Sequence, residues 1–123
     1  MTKRRIVRQG DVLLRQLMDD EVPAGELTPA PRDARGLVLA EGETSGHHHQ
    51  VFGRGAKLFQ FRDPTGSRVL TVGESGAEVR VVGGGVGGVP RHLPVTLAPG
   101  RYEVRLQRQY TAEEALRHRV MED

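Results

Sequence analysis

The sequence of 123 residues contains no cysteine and no tryptophan. Without cysteine the chain can form neither disulfide bonds nor thiolate metal sites, which agrees with a reducing compartment. Its apolar runs are far shorter than the roughly 20 residues of a membrane-spanning helix, and the N-terminus lacks the apolar stretch of a signal peptide. We therefore expect a cytoplasmic protein that makes no contact with a membrane.

Aromatic residues and lysines are also scarce. Three phenylalanines and two tyrosines are present, so the core must be built mainly from valine and leucine. Lys3 and Lys57 are the only lysines, and the net charge is +2. This small excess of arginine does not indicate nucleic-acid binding unless the arginines cluster on one face. The arginines that would supply such a face, as a lesser alternative, are Arg4, Arg5, Arg8, Arg101 and Arg105.

What the sequence has in quantity is turn-forming residues and alternating strand patterns. Sixteen glycines and seven prolines separate short runs rich in valine and leucine. The clearest run places Tyr102, Val104 and Leu106 on one face and charged residues on the other. These features predict an all-β fold, a compact sandwich or barrel of about eight short antiparallel strands with a short C-terminal helix.

The length predicts a single domain over residues 1–123. Residues 1–8 are expected to form a basic tail, residues 19–36 a long loop and residues 111–121 the terminal helix, which Thr111 and Glu114 would open as a capping box. The glycine-rich stretch 83–88 has no Lys-Ser/Thr pair and no helix pattern after it. We therefore interpret it as a flexible connection rather than a phosphate-binding loop.

The chemically distinctive feature is the run His47-His48-His49, which follows Glu41 and Glu43. Side chains alternate along a strand, so His47 and His49 should share one face and His48 should lie on the other. Two imidazoles on one face are able to share a metal ion, and neutral imidazole suits Zn, Fe, Ni, Mn or Cu. The competing interpretation is an exposed histidine turn without biological metal.

A metal site needs further ligands, and the sequence offers few. We predict His47, His49 and His92 as metal ligands, with Glu41 or Glu43 as the fourth ligand or general base. His92 is chosen because it is the remaining histidine of the predicted β region.

Side chains alternate along a strand, so Arg108 should lie on the same apolar face as Tyr102. A guanidinium there needs a partner, because unpaired burial of a charge is costly. We predict that Arg108 orients an anionic substrate and that Glu43 has a catalytic role. The alternative is that the strand ends or bulges near residue 107 and Arg108 reaches solvent.

Three blocks of the sequence are similar to a group of small, uncharacterised bacterial proteins. The blocks are Gln9-Gly10-Asp11-Val12-Leu13-Leu14, then Leu39 to Glu43 with Gly46, His47 and His49, then Leu97 to Val104 with Gln107, Arg108 and Tyr110. That resemblance implies a domain of its own and carries no assigned activity. The Gly42 to His-x-His segment also loosely resembles the first motif of the cupin family, although the carboxylate that cupins place after the histidines is missing between residues 50 and 56.

These patterns lead to two main expectations of function. The first is a metal-binding or ligand-binding β domain in which a metal with an open position activates water for hydrolysis. The second is a non-enzymatic accessory module that binds a protein partner, or a second copy of itself, through a sheet edge or through residues 19–36.

Overall fold

The structure is a computed structural model that describes residues 5–21, 27–42, 46–61, 68–83 and 93–107. These residues form ten strands and one short 3-10 helix, Asp19–Glu21. The strands are β1 (Ile6–Gln9), β2 (Val12–Leu17), β3 (Leu27–Pro29), β4 (Leu37–Glu41), β5 (His47–Phe52), β6 (Lys57–Phe61), β7 (Arg68–Val72), β8 (Ala77–Gly83), β9 (Val95–Leu97) and β10 (Gly100–Leu106). The predicted all-β fold is confirmed; the predicted terminal helix lies outside the described residues.

The strands form two antiparallel sheets. Sheet I has six strands in the order β1-β2-β10-β7-β6-β3, and sheet II has four in the order β4-β5-β8-β9. All eight strand pairings within them are antiparallel. Two separate sheets, rather than one closed sheet, make the architecture a sandwich, so the structure selects one of the two predicted alternatives.

The core lies between the sheets and is contributed about equally by both. Its buried residues from sheet I include Leu14, Leu70 and Tyr102, and those from sheet II include Leu39 and Val79. Tyr102 is fully buried, and its hydroxyl donates to the Ala98 carbonyl oxygen at 2.7 Å. The aliphatic composition therefore suffices for a core, as expected for strands rich in valine and leucine.

Two strands were not foreseen in the sequence. Strand β1 occupies part of the expected basic tail, and strand β3 lies within the expected loop 19–36. β1 is held by a hairpin in which Gly10 has a φ of 58° between Gln9 and Val12, a conformation that favours glycine at the first position of a two-residue loop. β3 is a three-residue edge strand that contains Pro29, a position where proline costs no ladder hydrogen bond.

Within the described residues, no helix is of a length and hydropathy that would let it cross a membrane.

Candidate functional site

Strand β5 places its consecutive histidines in different environments. His49 lies opposite Ala40 of β4 and Val81 of β8, and it is 3% exposed. It faces sheet I, because its ring contacts side chains at the β1–β2 hairpin. His48 lies opposite Glu41 and is also buried, but on the outer side of sheet II. The histidine run is therefore part of a strand, in which His48 and His49 are buried, and not an exposed turn.

Gln9 holds the ring of His49 in one orientation. The Gln9 amide nitrogen donates to the carbonyl oxygens of Val79 and Leu93, each at 2.9 Å. Carbonyl oxygens only accept hydrogen bonds, so these two contacts fix the amide and turn Oε1 toward His49. Oε1 lies 2.9 Å from Nδ1 of His49. Nδ1 must therefore carry the proton and donate it.

A proton on Nδ1 leaves Nε2 of the neutral ring with a lone pair. This nitrogen lies 3.6 Å from Oδ1 of Asp11, and both side chains are 3% exposed. The separation is too long for a hydrogen bond. It matches the distance between two ligands of a tetrahedral metal ion, which is about 3.3–3.6 Å for bonds of roughly 2.0–2.2 Å. The pair is therefore at a separation that allows both atoms to bind one cation.

His47 precedes His49 by two positions on the same strand and is half-buried. Its Nδ1 is buried and makes no hydrogen bond in the described part of the chain. Its backbone carbonyl accepts from the amide of Gly42 at 2.7 Å. A Cβ on Gly42 would lie 2.8 Å from the Cβ of His47, which is closer than real Cβ atoms approach. The glycine before the histidines is therefore required by close packing against His47.

Glu41 does not join His47 and His49. It pairs across the strands with His48, on the outer side of sheet II. There it accepts hydrogen bonds from the Arg35 guanidinium at 2.5 and 3.2 Å, and these bonds lower the pKa of its carboxyl group. The carboxylate that lies near His49 is instead Asp11, from the turn between β1 and β2. This differs from the expected ligand set because β4 and β5 pair in a register that sends Glu41 to the other face.

Three other predicted site residues, Glu43, His92 and Arg108, lie outside the described residues. Among the described residues, no group of three or more His, Asp or Glu side chains is arranged to hold a metal ion. Leu93, the sequence neighbour of His92, contacts Gln9 through its carbonyl oxygen. Gln107, the neighbour of Arg108, donates its backbone amide to the carbonyl oxygen of Asp11 at 2.7 Å.

Gln9 and Asp11 are the residues that sequence reasoning missed. Both lie in the Gln9-Gly10-Asp11 block that carries part of the family resemblance, and neither is among the predicted site residues. The available signal was a pair of polar residues on either side of Gly10, directly before the apolar run that begins at Val12. The structure shows that both residues are buried, since Gln9 is 3% and Asp11 5% exposed.

The arginines on the outer side of sheet I are interleaved with an acidic residue. Glu103 lies 2.8 Å from the guanidinium of Arg105 and 3.3 Å from that of Arg15. This ion-paired pattern is typical of a solvated sheet face, and nucleic-acid binding stays a prediction without further support.

Comparison with known proteins places the chain in a family but gives it no activity. No curated protein and no solved structure matches the sequence. A family model described as a domain of unknown function, DUF8820, matches residues 8–107, a span that includes Gln9, Asp11 and His47–His49. Since that match covers most of the sequence, the protein belongs to the DUF8820 family.

Proposed function

We propose that this protein binds one divalent metal ion between its two sheets, with Nε2 of His49 and the carboxylate of Asp11 as ligands. The observation that carries the proposal is the fixed tautomer of His49. Gln9 Oε1 accepts a hydrogen bond from Nδ1–H, so the Nε2 lone pair is directed at a buried carboxylate 3.6 Å away. Metal-binding histidines typically donate a hydrogen bond from the N–H of their second ring nitrogen to an oxygen, which fixes the ring and its tautomer.

The two remaining ligands in the proposal are His47 and His92. His47 shares the strand face of His49 and has a buried Nδ1 without a hydrogen bond in the described residues. His92 is joined by one peptide bond to Leu93, whose carbonyl contacts Gln9. Three histidines and one carboxylate form a set of nitrogen and oxygen ligands that suits Zn, Fe, Ni or Mn. The loose cupin-like spacing of the histidines is compatible with this site.

If a position on the metal stays open to water, the metal lowers the pKa of that water and generates a nucleophile. In this extension of the proposal, Glu43 acts as general base and Arg108 binds an anionic substrate. The backbone hydrogen bond from Gln107 to Asp11 supports a role for Arg108 at this site, because Arg108 directly follows Gln107 in the chain. The reaction class is then metal-assisted hydrolysis.

Elemental analysis of protein purified without a histidine tag and without chelators tests metal binding directly. We expect about one equivalent of metal per chain in the wild type. His49→Ala and Asp11→Asn should each lose it. His48→Ala is the matched control, since it removes a neighbouring histidine of the same strand that faces the outer side of sheet II.

Calorimetric titration of chelator-treated protein with Zn²⁺ and Mn²⁺ gives a second measurement. Wild type and His48→Ala should bind one ion with similar affinity, and His49→Ala should not. If wild type retains no metal and binds neither ion, the metal proposal is wrong, and the accessory-module alternative becomes the better hypothesis.

A further inference from the structure

A cavity of about 260 Å³ lies at the margin of the core, between β4 of sheet II and β6 of sheet I. Its apolar lining comes from β4, from β6 and from the segment before β4: Ala30, Pro31, Leu37, Val38 and Leu58. It shares no residue with the proposed metal site. Leu37 and Leu58 pack against the core behind it, so the cavity floor belongs to the folded sandwich.

The rim of the cavity is held in place by hydrogen bonds at both ends. The backbone amide of Ala30 donates to the carbonyl oxygen of Leu58 at 3.0 Å, and that of Gly36 donates to the carbonyl oxygen of Asp33 at 3.0 Å. The Gln50 amide donates to the carbonyl oxygen of Arg35 at 2.6 Å. The space is therefore preformed, and a ligand would lose little free energy in ordering it.

The two charged side chains at the rim, Asp33 and Arg32, differ in whether they already have a partner. Asp33 is already engaged, because Arg35 donates to it from its backbone amide and from its guanidinium, at 2.9 Å in each contact. Arg32 lines the cavity and makes no hydrogen bond or ion pair in the described residues. The free charge at this rim is therefore positive, which favours an anionic group on the ligand.

We infer that this cavity binds a small aliphatic carboxylate, with its hydrocarbon chain between β4 and β6 and its carboxylate at Arg32. Size and lining define this class. A cavity of roughly 150 Å³ accommodates benzene, so this volume accepts a chain of about six to eight carbon atoms. The lining contains leucine, valine, alanine and proline but no aromatic ring, so it offers dispersion and no stacking.

Amide chemical shifts followed during titration with hexanoate test the site. We expect saturable shifts at Leu37, Val38 and Leu58. The uncharged hexan-1-ol should bind about two- to five-fold more weakly, as expected for the loss of a partly exposed ion pair, and hexylammonium more weakly still.

Arg32→Gln should reduce hexanoate affinity about two- to five-fold and leave hexan-1-ol binding unchanged. Arg54→Gln is the matched control, because Arg54 is an exposed arginine in the turn before β6 and lines no part of the cavity. Absence of saturable shifts at these amides overturns the proposal. So does equal binding of the three ligands, or a preference for hexylammonium. Because no metal is involved, these outcomes are independent of the metal proposal.

Discussion

Replacement of Gln9 by methionine should destabilise the protein by about 3 kcal/mol. Methionine has a similar length but makes none of the three hydrogen bonds of the Gln9 amide. The Val79 carbonyl and the His49 Nδ1–H then lose their partners inside the core, and each buried group left unsatisfied costs about 1–3 kcal/mol. The contact with Leu93 counts for less, since that residue is 84% exposed and water can replace the amide.

Urea unfolding followed by circular dichroism, in the presence of a chelator, measures this cost without a contribution from metal. For a small domain with an m value of about 1–3 kcal/mol/M, the midpoint should fall by about 1–3 M. Gln60→Met is the control, because Gln60 is half-buried on β6 and its side chain makes no hydrogen bond in the described residues. A change of less than about 0.5 kcal/mol in Gln9→Met would refute the inference that this amide fixes the ring of His49.

Two further substitutions have defined outcomes. Arg35→Gln should make the free energy of unfolding depend less on pH in acid. Arg35 lowers the pKa of Asp33 from 3.8 to about 2. The ion pair therefore stabilises the fold fully above the unfolded-state pKa of Asp33, and this stabilisation is lost as the pH falls toward 2. Unfolding midpoints measured from pH 5 to pH 2 check this, and parallel wild-type and variant curves would contradict it. Tyr102→Phe should lower the free energy of unfolding by about 1 kcal/mol, because the Ala98 carbonyl loses a hydrogen bond, and an unchanged urea midpoint would contradict that expectation.

The fold class could be predicted because it depends on local patterns that recur along the chain. Strand β10 alternates Tyr102 and Val104 with exposed or half-buried charged residues, and the structure buries the same two side chains. Glycines also occupy turns, as at Gly76, where the φ of 73° favours glycine and the chain passes from β7 of sheet I to β8 of sheet II. Alternation and turn chemistry are properties of a few consecutive residues, so a single sequence is enough to detect them.

Strand β1 and strand β3 escaped prediction because their stability is not local. β1 presents Val7 and Gln9 to the interior, and only one of these is apolar. It becomes a strand because β2 offers it an edge and because Gln9 finds partners on the other sheet. β3 has three residues, one of them a proline, and within the described residues it pairs with β6 only. Such segments depend on tertiary pairing, which overrides weak propensity.

Only part of the candidate site could be predicted, because the site also depends on contacts between distant parts of the sequence. His49 was identified because three histidines stand together, whereas Asp11 lies 38 residues earlier and joins it only when the β1–β2 hairpin of sheet I packs over sheet II. Glu41 was a reasonable choice by proximity in sequence, but strand register decides which face a side chain occupies, and a shift of one residue reverses it. The pairing of Glu41 with His48 therefore removes it from the inner face.

The same register gives adjacent histidines opposite chemistry, and this makes the site testable. The His48 Nε2 lies 2.7 Å from the Gln50 Oε1, whose amide nitrogen is committed to the Arg35 carbonyl, so His48 carries its proton on Nε2. His49 carries its proton on Nδ1 and directs the other nitrogen at Asp11. The two neighbouring histidines therefore differ in which ring nitrogen carries the proton, and a metal that binds Nε2 of His49 would distinguish between them. Nonspecific binding to a histidine run would not make that distinction.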